Sequence, residues 1–151
     1  MPKRRSALIA SNFQSADVAV TQNQFTEIGR HVVGSGMYLT LGYGFSNSQV
    51  DADGRIYALI KDTADATLEG TLLISIYTPE DRHHRDLFEA RTEDLNSSLT
   101  DRQKQIPFPE MDTGYGKDWI YKIFFKPDAT GKTVDNGLTK IVMTTTIEPK
   151  F

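Results

Sequence analysis

Trp119-Ile120-Tyr121-Lys122-Ile123-Phe124-Phe125 decides the fold class. Successive side chains of an extended chain point to opposite sides, so Trp119, Tyr121, Ile123 and Phe125 share one face. Ile120, Lys122 and Phe124 take the other. The same period of two recurs in residues 71–77, where Leu72, Ile74 and Ile76 alternate with Leu73, Ser75 and Tyr77. It recurs again in residues 140–147, where Ile141, Met143, Thr145 and Ile147 alternate with Lys140, Val142, Thr144 and Thr146. Strands with one face on a core carry this pattern, and helices do not.

Weaker runs at 18–21, 25–28, 37–41, 55–61 and 87–91 extend the set, and turn chemistry separates them. Asp53-Gly54, Glu69-Gly70, Asp128-Ala129-Thr130-Gly131 and Asp135-Asn136-Gly137 each read as a turn. Seven or eight short strands so punctuated predict an all-β chain: a single β-sandwich or jelly-roll-like barrel over residues 18–151. Residues 1–17 read as an N-terminal arm. Residues 92–118 form a connection longer than the roughly 12–15 residues that loops without their own structure usually reach. Within it, Thr100 and Gln103 have capping-box spacing and Leu95 and Leu99 lie four apart, which predicts a short helix. Ile106-Pro107-Phe108-Pro109 then enforces an extended stretch with two apolar side chains.

Composition narrows the chemistry. The 151 residues hold 17 Lys+Arg against 20 Asp+Glu, a net charge of −3, and no cysteine. Disulfides, thiolate nucleophiles and thiolate metal sites are therefore excluded. A strongly cationic nucleic-acid binder is disfavoured too. Lys3-Arg4-Arg5 is followed by only four apolar-leaning residues, 7–10, too few for a signal peptide. No apolar run approaches the roughly 20 residues of a membrane helix. A soluble cytoplasmic product is the expectation.

Each motif-like stretch has a plainer reading. Gly131-Lys132-Thr133 resembles the tail of a phosphate loop, but Lys126 stands where the first glycine belongs and Pro127 lacks an amide. A hairpin turn is the better reading. Asp51-Ala52-Asp53-Gly54 brings its glycine too early for a calcium loop and reads as a turn. Residues 80–86 hold His83 and His84, yet neighbours on a strand face opposite ways and Arg82 and Arg85 repel a cation. An exposed charged turn is expected, with no metal and no cofactor. Glu89, Glu93 and Asp94 have no visible convergence, and no nucleophile elbow is present. Gly29, Gly34, Gly36, Gly42 and Gly44, with Tyr38, Tyr43 and Phe45, predict a bent or bulged strand around residues 37–41.

Three stretches carry a family resemblance: residues 87–95 (Leu-Phe-Glu-Ala-Arg-Thr-Glu-Asp-Leu), Ile106-Pro107-Phe108-Pro109-Glu110 and Phe124-Phe125-Lys126-Pro127-Asp128. Together with the basic arm and the terminal Ile147-Glu148-Pro149-Lys150-Phe151, they resemble capsid decoration or cement proteins of tailed viruses, including those of archaea. The resemblance implies a non-enzymatic virion protein, forming homo-oligomers (often trimers) and seated on a lattice of major capsid protein. It supplies no catalytic residues, and neither membrane nor nucleic acid is an expected partner. The expected contacts are Lys3, Arg4, Arg5, Leu8, Ile9, Phe13, Ile106, Phe108 and Met111 from arm and loop. Edge-strand pairing and charges at Arg82 and Arg85 would set register. The alternatives are a monomeric carbohydrate-type binding barrel using Trp119, Tyr115 or Tyr121 as a stacking surface, and a small metal- or carboxylate-dependent hydrolase centred on Asp81, His83, His84 and Asp86.

Overall fold

A computed structural model describes residues 5–10, 16–32, 50–95, 106–108 and 118–149, with side chains at 16–32, 56–95 and 118–142. Ten strands follow one another along it: β1 (Arg5–Ala10), β2 (Val18–Val20), β3 (Thr26–Val32), β4 (Val50–Leu59), β5 (Gly70–Tyr77), β6 (His83–Arg91), β7 (Ile106–Phe108), β8 (Ile120–Pro127), β9 (Lys132–Val134) and β10 (Lys140–Pro149). Eight of them form two four-stranded sheets, ordered β1-β10-β4-β7 and β3-β8-β5-β6, and β2 pairs with β9. The all-β expectation holds, as a two-sheet sandwich.

Register explains the packing. Leu72, Ile74 and Ile76 of β5 lie opposite Phe125, Ile123 and Tyr121 of β8, and all six are fully buried. Ile56, Ala58 and Ile141 face them from the first sheet, and Val20, Val134, Leu68 and Leu95 join the same apolar cluster. Each fully buried side chain of this size contributes about 1.5–3 kcal/mol by leaving water. The alternation quoted from residues 71–77 and 119–125 is thus the inner lining of the sandwich.

Two expected turns are strand instead. Asp53-Gly54 lies inside β4, opposite Thr146 and Thr145 of β10, so the Asp51–Gly54 stretch is no turn. Ten consecutive pairs with β10 outweigh the local preference of Asp-Gly. Gly70 opens β5 opposite Pro127, where a Cβ would stand 2.3 Å from the Lys126 carbonyl oxygen. Its missing side chain permits a close approach of two backbones. Residues 128–131 do form the link from β8 to β9, with Gly131 at φ 70°, and Asp135 Oδ1 accepts bonds from the Gly137 and Leu138 amides. Asn23, Asp65, Asp81 and Asp118 also have positive φ, the conformation Asn and Asp tolerate best among residues with a Cβ.

The long connection starts with a single 3-10 turn, Thr92–Asp94, and later contributes β7. Leu95 is fully buried and its carbonyl accepts from the Ala58 amide, which fastens the connection to the core. The helix expected near Thr100 and Gln103, and the glycine-rich run at 34–44, lie outside the described residues. Residues 5–10, read from sequence as arm, form edge strand β1 against β10.

Candidate functional site

The outer face of the β3-β8-β5-β6 sheet gathers the most distinctive side chains. Pairing places them in four rows. Val32, Ile120, Tyr77 and His83 form the first; Arg30, Lys122, Ser75 and Asp86 the second. Glu27, Phe124, Leu73 and Glu89 form the third, and Lys126, Thr71 and Arg91 the fourth. Phe25, just before β3, extends the fourth row, since the Lys126 ammonium sits 4.8 Å from its ring centre. An outer strand face that meets only water is expected to be polar. This one carries Val32, Phe124, Leu73 and Tyr77.

Its centre is Lys122, whose side chain is 9% exposed. The ammonium lies 4.1 Å from the Tyr77 ring centre and 2.5 Å from Asp81 Oδ1. Asp81 is carried there by the turn after β5, in which the Asp81 amide donates to the Thr78 carbonyl and the Thr78 amide to the Arg82 carbonyl. The hydrogen bond from Lys122 holds the Asp81 carboxyl below its ordinary pKa. The Tyr77 ring meets His83 edge-on at 5.5 Å and Phe124 at 6.2 Å. At the β3 edge Arg30 grips both Glu27 oxygens, at 2.8 and 2.9 Å, which raises the Arg30 pKa.

Ser75, Asp86 and His83 form a chain on the same face. Ser75 Oγ donates to Asp86 Oδ1 at 2.6 Å, and His83 Nε2 lies 2.8 Å from the same oxygen. Those bonds, Ser75's first, lower the Asp86 pKa. The order matters chemically. A serine nucleophile needs the imidazole beside it as base, with the carboxylate behind the imidazole. Here the carboxylate stands in the middle, and Ser75 is 1% exposed. His84 turns away to meet Trp119 edge-on at 5.1 Å. The four residues of the hydrolase reading therefore belong to three separate contacts. Among the described residues no three His, Cys, Asp or Glu side chains group as metal ligands.

Five of the expected contact residues are among those described. Arg5, Leu8 and Ile9 fall in β1, and Ile106 and Phe108 in β7, the two opposite edges of one sheet. With strands about 4.8 Å apart, three steps separate them by about 14 Å. Lys3, Arg4, Phe13 and Met111 lie outside the described residues, as does Tyr115. Tyr121 is fully buried, and Trp119 is partly buried against the core. A small groove of about 240 Å³ runs between Ala66–Glu69 and Pro127–Ala129, with Lys132 at its side; ligand pockets usually measure about 300–1,000 Å³. Beside it, Arg91 holds Asp128 through both guanidinium nitrogens, which lowers the Asp128 pKa.

Sequence reading missed the outer face, although its signal was present. Ile120 and Phe124 occupy the non-core positions of one strand and Leu73 and Tyr77 those of the next.

No family model matches the chain, and no curated protein matches it significantly. A solved chain from a structure of infectious bursal disease virus Gx strain superposes over 98% of this chain, with a TM-score of 0.35 and 10% sequence identity. This chain spans 32% of that one. A likeness so slight carries no argument about role.

Proposed function

We propose that the protein is a non-enzymatic structural subunit of a virion, a capsid decoration or cement protein, acting by assembly with its own copies and a capsid lattice. The observation that carries this reading is the outer face of the β3-β8-β5-β6 sheet. It presents Val32, Phe25, Phe124 and Tyr77 beside the internal Arg30–Glu27 and Lys122–Asp81 pairs, a composition suited to a protein surface rather than to a phosphate backbone. The resemblance of residues 87–95, 106–110 and 124–128 to decoration proteins supports the viral setting.

Light scattering after size exclusion tests the reading on the full chain, at low and moderate salt. A dimer or larger closed assembly is the expected result. A species of about 17 kDa at every concentration, with a tryptophan signal that responds to soluble oligosaccharides, would replace it with the binding-module reading. Deleting residues 1–13 would also remove β1, so charge reversal of Lys3 and Arg4 is the cleaner probe of that segment.

A further inference from the structure

The outer edges of both sheets are poorly suited to strand addition. β1 has a register shift between Leu8 and Ala10, and β3 one between Glu27 and Gly29. β6 carries two, at Ile74/Ser75 and Ile76/Tyr77 of its partner. β7 is three residues long and contains Pro107. Bulges, short strands and proline are the devices by which β proteins prevent edge-to-edge pairing. Contacts between copies are thereby directed away from the edges and onto a face.

We infer that the outer face of the β3-β8-β5-β6 sheet is a two-fold contact between two copies of this chain, packed face to face about an axis along the strands. This deepens the assembly reading above and rests on it for the premise that copies associate. Such an axis preserves each row and exchanges β3 with β6 and β8 with β5. Arg30 of one copy then lies over Asp86 of the other. Phe124 meets Leu73, Val32 meets His83, and Phe25 meets Arg91, whose guanidinium can stack on the ring. The β3/β8 half holds Arg30, Lys122 and Lys126 against Glu27 and Asp81, whereas the β6 half contributes Asp86 and Glu89 beside an Arg91 already held by Asp128. The halves are complementary, and the rotation superposes them. One pair opposes the fit: Glu27 lies over Glu89.

Size sets the strength. Four strands about 4.8 Å apart, and four rows about 7 Å apart, give roughly 400–500 Å² per copy. Standard interfaces bury about 800 Å² per partner. The contact is therefore of the weak class, visible at high protein concentration and reinforced where a lattice holds copies together.

Sedimentation equilibrium of the full chain over a wide concentration range tests this, with circular dichroism confirming that each variant folds. Val32 is 48% exposed, so Val32→Lys keeps the fold; it should weaken association about tenfold, as should Arg30→Glu. Glu89→Gln removes the one like-charge pair and should tighten association about threefold, the size of an exposed charge effect. Weakening by the first two with tightening by the third supports the inference. Association that is unchanged in all three variants overturns this face while leaving assembly standing. A wild-type monomer at every concentration overturns both.

Discussion

At the scale of single residues, the sharpest constraint is Gly70. Its absent Cβ would lie 2.3 Å from a carbonyl oxygen of the neighbouring strand and 2.8 Å from the Phe125 ring. Neither backbone can retreat without breaking the β5–β8 ladder. Gly70→Ala should cost about 1–3 kcal/mol, the usual range for overpacking, as read by urea denaturation; an unchanged midpoint would mean the two strands are not so close. Lys122 and Asp81 allow a comparison of another kind. A nearly buried ammonium left without its carboxylate is expensive, whereas replacing it by an apolar chain of like length is often harmless. Asn keeps the left-handed backbone at position 81, so Asp81→Asn isolates the charge. It should lower the thermal midpoint more than Lys122→Met does. The reverse order would show that the pair contributes through Tyr77 packing instead. Neither residue declared itself in the sequence: the Glu69-Gly70 dipeptide looks like any turn, and the partner of Lys122 lies 41 positions away.

At the scale of elements, period-two alternation was legible wherever one face met the core, because burial imposes it directly. β5, β8 and the start of β10 were read from Leu72/Ile74/Ile76, Tyr121/Ile123/Phe125 and Ile141. Turns were legible where local chemistry makes the turn: Gly131 does so by its positive φ, and elsewhere a side chain does. Asp135 does so, accepting two backbone amides ahead of β10. Asp135→Ala should cost about 1–2 kcal/mol for the lost charged acceptor, measured by chemical denaturation, while Asp135→Asn should restore most of it. Asp53-Gly54 misled because nothing local distinguishes a turn from a strand interior; long-range pairing with Thr145 and Thr146 decides it. β1 was hidden for the same reason. Its residues 5–10 show no clean alternation, and their place in the sheet comes from β10. The candidate face was half legible: its apolar positions were visible, but only the register joins Tyr77 to Lys122 and Asp86 to Ser75.

At the scale of the whole molecule, stability should fall in two separate windows as pH drops. His31 lies opposite Tyr121 in the register, and burial lowers its pKa from 6.5. The fold therefore favours the neutral ring. Its contribution is complete above the unfolded value of about 6.5 and is lost as pH falls below it. Asp81, Asp86 and Asp128 have lowered values, so their contribution persists until pH falls toward and below 3.8. Unfolding curves at pH 7.5, 5.5 and 3 should show both losses. His31→Leu should flatten the first and spare the second, and a variant with the wild-type slope between pH 7.5 and 5.5 would assign that window elsewhere. β10 is the last strand in chain order, yet it lies between β1 and β4 in the middle of its sheet. The tight turn at residues 78–82 lets β5 meet β6 at once, but β1 and the β4–β7 pair stay unconnected until β10 arrives. Its pairings close very long loops, which places folding among the slower β proteins, in milliseconds to seconds. During that interval the edge of β4 that later pairs with β10, residues 50–59, has no strand beside it. Misassembly is therefore a hazard of the interval before β10 docks, and a rate rather than an affinity decides how many chains escape it.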